Sequence, residues 1–299
     1  MQANEIFEKL RNGDRKSLAR AISIVENELA GYESLLELLP ASPARIIGVT
    51  GPPGAGKSTL VEGLIAMLRA DNKKVAVLCV DPTSAFNQGA ILGDRIRMSE
   101  WFTDPNVYIR SLGTRGSLGG LHPKIIEITD LLKTAGFDQI IIETVGVGQS
   151  EIEIAGLADA TVVVLVPESG DEVQTMKAGL MEIADIFVVN KSDRPEADVY
   201  VKYLQQMLAP TFSKHYQEVP IIKTVATTKE GISSLYKLLM HQLQKAHVND
   251  KTFWLLAERA FYLIGQKRMK GIDKSILKKE IEASFQTGDF NLYQYIAGK

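Results

Sequence analysis

The run Gly51-Pro52-Pro53-Gly54-Ala55-Gly56-Lys57-Ser58-Thr59 constrains this chain more than any other segment. It has the spacing G-x-x-x-x-G-K-[ST]; an apolar β-rich run at 46–50 leads into it and a helix-forming run at 58–70 leaves it. Glycines let a backbone fold around phosphate oxygens, and the loop amides with the first helical turn supply donors in a favourable dipole. Lys57 is then placed to reach β- and γ-phosphates, and the Ser58 hydroxyl to ligate Mg²⁺. A strand, a tight phosphate loop and a helix in that order already select an α/β architecture.

The flanking sequence keeps the same rhythm. Short β-rich runs at 46–50, 75–80, 140–144, 161–166, 186–189 and 221–225 are spaced by helix-length segments at 58–70, 122–135, 171–183 and 197–208, with another at 232–243. Near-continuous apolar strands alternating with helices imply a parallel sheet buried on both faces. The expected fold is an α/β P-loop NTPase, with a mostly parallel central sheet flanked by helices and helical extensions at both ends. Residues 1–43 read as the N-terminal extension. Ile6, Phe7 and Leu10 share a face, Asn12-Gly13-Asp14 stops and restarts the helix, and Leu18, Ile22, Val25 and Leu29 continue it. Residues 44–246 form the nucleotide domain, and 247–299 a C-terminal helical region with Phe253, Leu256, Phe261, Ile264, Ile276, Ile281 and Phe285 at helical spacing. The stretch 82–121, rich in Gly, Ser, Asp and Arg, reads as one long functional loop.

Charge and cysteine content exclude several classes. Lys plus Arg number 34 and Asp plus Glu 36, a net charge of -2 over 299 residues, so overall charge supports neither nucleic-acid nor membrane-surface binding. Cys79 is the single cysteine and falls in an apolar run, which fits core packing in a reducing compartment. No run approaches the roughly 20 apolar residues of a membrane helix, and the first residues lack a secretory pattern. A cytoplasmic protein is expected.

Two further segments name the nucleotide and its chemistry. Asn190-Lys191-Ser192-Asp193 follows an apolar strand and has the N-K-x-D pattern that reads guanine: the Asp carboxylate accepts from guanine N1–H and N2–H₂. Adenine offers neither donor there, so GTP/GDP is selected over ATP. Glu143-Thr144-Val145-Gly146-Val147-Gly148-Gln149-Ser150 follows the strand at 140–142. This is where P-loop enzymes set a carboxylate near Mg²⁺ and a glycine N–H at the γ-phosphate, which makes Lys57, Glu143 and Gly146 the catalytic candidates. Gln149 is the candidate for orienting water, although its offset from Gly146 differs from the usual Gly-Gln adjacency.

With these segments in view, the chain resembles the methylmalonyl-CoA mutase-associated GTPases, a family also described as lysine-arginine-ornithine transport ATPases. The resemblance spans nearly the whole chain and is carried by residues 51–59, Val80-Asp81-Pro82-Thr83-Ser84, Ile91-Leu92-Gly93-Asp94-Arg95-Ile96-Arg97-Met98, residues 143–151 and residues 190–193. It implies a GTP-hydrolysing chaperone that binds an adenosylcobalamin-dependent acyl-CoA mutase, gates cofactor loading, and protects or restores that enzyme. It also implies a homodimer assembled through C-terminal helices, with Asp81 and Asp94 joining Ser58 and Glu143 near Mg²⁺. The segment Gly170-Asp171-Glu172-Val173-Gln174 with Lys177 would sense nucleotide and touch the mutase. Two stretches depart from the family pattern. Residues 85–90 are less polar than the corresponding switch, and the last base-contacting loop reads Val225-Ala226-Thr227 where Ser-Ala-x is usual. The Ala226 N–H would still face guanine O6, because that contact uses backbone alone.

A kinase that passes the γ-phosphate to a protein or small molecule is the alternative, with 82–121 recruited as a lid; it has no need of residues 190–193. A nickel-handling GTPase would want clustered His or Cys, whereas the four histidines are scattered at 122, 215, 241 and 247.

Overall fold

The computed structural model describes residues 3–81, 98–115, 121–145, 150–168, 183–212, 219–245, 250–286 and 290–298. They fall into two compact units, 1–247 and 248–299.

The first unit is built on seven strands: β1 (Arg45–Thr50), β2 (Val75–Asp81), β3 (Val107–Gly113), β4 (Gln139–Glu143), β5 (Ala160–Leu165), β6 (Ile186–Val189) and β7 (Ile221–Lys223). Their order is β3-β2-β4-β1-β5-β6-β7, and every pairing is parallel. β1, β2, β4, β5 and β6 are almost wholly buried, as expected of strands covered on both faces. One face packs on α4 (Lys57–Ala70) and α8 (Ile232–Lys245). Here Leu60, Leu64 and Leu68 meet Val77, Ile141 and Val162, each buried aliphatic side chain contributing about 1.5–3 kcal/mol.

The opposite face takes α5 (Ile125–Thr134), α6 (Ser150–Leu157) and the N-terminal helices α1 (Ala3–Arg11), α2 (Arg15–Glu26) and α3 (Tyr32–Glu37). Asp14 restarts the chain as the N-cap of α2, its carboxylate accepting from Ser17 N–H at 2.8 Å. Leu10, Leu18, Ile22 and Val25 join Ile46, Ala76 and Leu78 in one cluster, so the extension is part of the core of this unit. α7 (Ala197–Phe212) packs beside β5 and β6, with Tyr200, Leu204 and Leu208 against Phe187.

The expectation of a single loop over 82–121 is corrected. Within that stretch lie a short 3₁₀ turn, Ser99–Trp101, and β3, the edge strand of the sheet. β3 carries Arg110 and Ser111 mid-strand, so it lacks the continuous apolar run that announced the others. Arg110 is accommodated because α2 lies alongside. Arg15 donates to the carbonyls of Val107 and Asp104, and Glu26 receives Arg110 at 2.6 Å and Arg115 at 3.0 Å. His122 is buried beside this cluster. Burial pushes its pKa down to about 4, so the ring is neutral at pH 7 and its Nδ1 accepts from the Lys124 N–H at 3.0 Å. The network anchors the end of β3, where Thr114 N–H donates to the Asp81 carbonyl at the mouth of the site.

The second unit contains α9 (Asp250–Met269), α10 (Lys274–Gln286) and α11 (Leu292–Ala297). α11 has no counterpart in the sequence reading; Asn291 caps it by accepting from Tyr293 and Gln294 N–H. Phe290 stacks on Phe285 with centroids 4.6 Å apart, and Phe253, Phe261, Ile276 and Tyr293 are exposed. Among the described residues, no helix is long and apolar enough to cross a membrane.

Candidate functional site

The site begins where β1 runs into its glycine loop. Gly51 has φ 140°, and a Cβ there would lie 2.0 Å from the Val164 carbonyl oxygen of β5. Gly56 has φ 89°, and a Cβ there would lie 2.3 Å from Asn190 Nδ2. Both positions therefore require glycine, first for left-handed backbone and then for close approach. Gly56 is also the N-cap of α4 without a side-chain capping bond, which leaves first-turn amides of that helix without a capping side chain and suited to an anion. Lys57 is buried and its Nζ donates to the carbonyls of Gly51 at 2.9 Å and Pro52 at 3.1 Å. The ammonium is thus folded back over the loop it serves.

Next to it, Ser58 Oγ donates to Glu143 Oε1 at 2.7 Å, joining the phosphate loop to the end of β4. β2 and β4 pair with Cys79 opposite Glu143, so Asp81, two residues further along β2, presents on the same face as Glu143. Ser58, Asp81 and Glu143 are all buried and offer only oxygen donors. That donor chemistry suits a hard divalent cation such as Mg²⁺, which uses few carboxylates and takes its remaining ligands from water and phosphate. Among the described residues no three His, Cys, Asp or Glu gather as a group that could hold a metal ion. Thr50 and Thr144, which the sequence reading did not single out, bind each other through their hydroxyls at 2.9 Å and tie β1 to the chain leaving β4.

The N-K-x-D segment at 190–193 is held in place by a single side chain. Asn190 donates through Nδ2 to the Ala55 carbonyl at 2.8 Å; its Oδ1 accepts from Thr224 Oγ1 at 3.0 Å and from Ala226 N–H at 3.1 Å. One buried amide therefore locks the phosphate loop, the end of β6 and the turn after β7 together. Lys191 follows with φ 56°, and Ser192 N–H donates to the Thr224 carbonyl at 3.0 Å. These contacts close a cavity of about 250 Å³ lined by Gly56, Thr59, Asn190, Lys191, Asp193, Arg194, Val225, Ala226 and Thr227. Three motifs from separate parts of the sequence, residues 51–59, 190–193 and 225–227, meet there. The Ala226 N–H, expected to face guanine O6, is engaged by Asn190, so O6 would share that donor. Thr224 and Arg194 were not recognised from sequence: a threonine at a strand end and an arginine after Asp193 carry no pattern of their own.

Replacing Asn190 with Ala should destabilise the protein by about 3 kcal/mol, because it leaves the Ala55 carbonyl, Thr224 hydroxyl and Ala226 N–H in a buried site without this partner. Urea unfolding without nucleotide measures this, and a loss under about 1 kcal/mol would show that the amide is replaceable as the joint.

Asp94, Gly146, Gln149, Asp171, Glu172, Gln174 and Lys177, together with 85–90, lie outside the described residues.

A family model described as methylmalonyl Co-A mutase-associated GTPase MeaB matches residues 18–259. A Pyrococcus horikoshii protein named as a GTPase is 45% identical over 94% of this chain and 89% of its own length. The GTPase ArgK of Escherichia coli is 32% identical over 97% of this chain and 88% of its own. The methylmalonic aciduria type A homolog of Mus musculus is 34% identical over 80% of this chain and 63% of its own. Among solved structures, an LAO/AO transport system kinase matches with TM-score 0.67 at 24% identity, covering 99% of this chain and 95% of that one. HypB from Helicobacter pylori matches at TM-score 0.53 and 20% identity, covering 76% of this chain and 97% of that one. At those identities the two structures support the fold alone.

Proposed function

The chain belongs to the methylmalonyl-CoA mutase-associated GTPase family, and on that premise we propose that it couples GTP hydrolysis to the care of an adenosylcobalamin-dependent acyl-CoA mutase. It is a P-loop GTPase that binds GTP and GDP. The finer reading is a chaperone whose nucleotide state gates cofactor loading and protects or restores the mutase. The observation that carries its nucleotide half is the cavity joining Gly56, Asn190, Asp193 and Ala226, together with the Ser58–Glu143 pair, and the family match supports its mutase half. That arrangement supports a guanine nucleotide bound with its phosphates on the α4 N-terminus. The kinase alternative is not favoured, since a base-reading carboxylate adds nothing to phosphoryl transfer onto an acceptor and the Pyrococcus horikoshii and Escherichia coli relatives are named as GTPases.

In this reading Ser58, Asp81 and Glu143, with Asp94, hold Mg²⁺, which would neutralise charge on the β,γ-phosphates. The loop amides and Lys57 position the phosphates, while Gly146 meets the γ-phosphate and Gln149 orients water. The mutase is the partner through Asp171, Glu172, Gln174 and Lys177, and the C-terminal helices pair two copies of the chain. The exposed Phe253, Phe261, Ile276 and Tyr293 are in keeping with such pairing.

The test is GTPase rate with and without an adenosylcobalamin-dependent mutase. The mutase should raise the wild-type rate at least tenfold, because no arginine is placed at the phosphates by a recognised motif and the slow basal reaction leaves room for a partner to act. Lys177→Ala should keep the basal rate within about twofold and lose most of the stimulation, since a charge read only in a complex contributes little inside the free protein. Equal loss of basal and stimulated rates would move Lys177 into the hydrolytic machinery. No stimulation of the wild type by any such mutase would remove the chaperone reading.

A further inference from the structure

Asp193 reads the base only if its carboxylate stays available, yet its immediate neighbour in the chain is an arginine. Both Asp193 and Arg194 line the base cavity and both are exposed there. A guanidinium beside a carboxylate pairs with it through two parallel N–H···O bonds, the same pair of acceptor sites that guanine N1–H and N2–H₂ use. Left to itself, Arg194 is a built-in competitor for the ligand.

The structure gives Arg194 a different partner. Its guanidinium pairs with Glu168, which follows β5 by three residues on a separate segment of chain. β5 and β6 are hydrogen-bonded neighbours, with Leu165 opposite Val189, and the Leu165 carbonyl accepts from Asn190 N–H at 2.8 Å. This ladder sets the two strand ends level, so that Glu168 and Arg194 meet across the cavity's rim. The Lys191 turn, with Arg194 N–H donating to the Lys191 carbonyl at 3.1 Å, holds the arginine's backbone to that side.

We propose that Glu168 is a specificity-determining positioning residue, which holds the Arg194 guanidinium away from Asp193 and so keeps the base-reading carboxylate free to bind guanine. This rests on the guanine-pocket reading. Neither Glu168 nor Arg194 touches the reacting phosphates in this scheme. Glu168 acts through Arg194, and Arg194 acts on the acceptor strength of Asp193. The contribution should fall on the bond to the guanine 2-amino group, because a carboxylate shared with an arginine keeps an oxygen for one donor more readily than for two.

The experiment compares GDP with IDP, whose base lacks the 2-amino group, in calorimetric titrations of the full chain. The wild type should prefer GDP. Glu168→Gln, which keeps shape and removes charge, should narrow the GDP-over-IDP ratio about three- to fivefold, the range of an exposed ion pair. Adding Arg194→Gln to Glu168→Gln should restore the ratio, since the competitor is gone. A purely structural pair would lower both affinities together and leave the ratio in place. An unchanged ratio in Glu168→Gln overturns the proposal, as does a narrowed ratio that the double variant fails to restore. A wild type that binds GDP and IDP alike would instead overturn the guanine-pocket reading, and this proposal with it.

Discussion

Lys57→Ala should reduce GTP hydrolysis by about a thousandfold, close to loss of turnover, as expected when one preorganised charge facing the reacting oxygens is removed. The effect is large because Lys57 is the only cation in the glycine loop and is already buried against it, donating to the Gly51 and Pro52 carbonyls. Exchanging those two carbonyls for phosphate oxygens needs a side-chain swing, not a refolding. Charge accumulates between the β- and γ-phosphates as the bond breaks, and inside a buried site a single ammonium there acts through a lower dielectric than water. GDP affinity should fall far less than turnover, since the loop and α4 amides remain. Single-turnover hydrolysis read beside GDP titration separates the two. Turnover near wild type in the variant would exclude Lys57 from the reaction.

Asp193→Asn should weaken GTP binding by well over tenfold and shift preference to xanthine nucleotides. An amide turns one of two acceptors into a donor and sets it against the 2-amino group of guanine, whereas xanthine presents a carbonyl there and keeps its N1–H for the remaining oxygen. Loss of a hydrogen bond to a charged acceptor is worth about 1.5–3 kcal/mol, which by itself exceeds a tenfold change in affinity. Asp193 is exposed at the rim and makes no hydrogen bond or ion pair among the described residues, unlike the buried Asn190, so the variant should unfold in urea as the wild type does. Titration with GTP and XTP reads the switch. Unchanged GTP affinity would take residues 190–193 out of the nucleotide site.

Much of this chain was legible before any coordinates. The glycine loop, its lysine and serine, and the strands at β1, β2, β4, β5 and β6 announce themselves because each is a local signal. A phosphate loop has a set spacing, and a strand buried on both faces must be apolar along its length. β3 was missed for the complementary reason. As an edge strand it is covered by α2 rather than by two full layers, so Arg110 can sit mid-strand with Glu26 as its partner, and the apolar run is broken. α6 has no counterpart in the sequence reading because it is only eight residues long and follows glycine-rich sequence, so no helix-length pattern marks it.

By itself, the sequence determined the local patterns: a glycine loop ending in Lys57 and Ser58, an N-K-x-D segment at 190–193, and apolar strands alternating with helices, each legible from residue types at short spacing. Tertiary structure alone decided how these parts are joined. Asn190 binds Ala55, Thr224 and Ala226 across three separate segments, Ser58 meets Glu143 from 85 residues away, and Arg194 turns to Glu168 instead of its neighbour. Spacing along a chain constrains backbone conformation over a few residues. Which buried donor finds which acceptor depends on how the parallel strands register, and that register is set by the packing of the whole sheet.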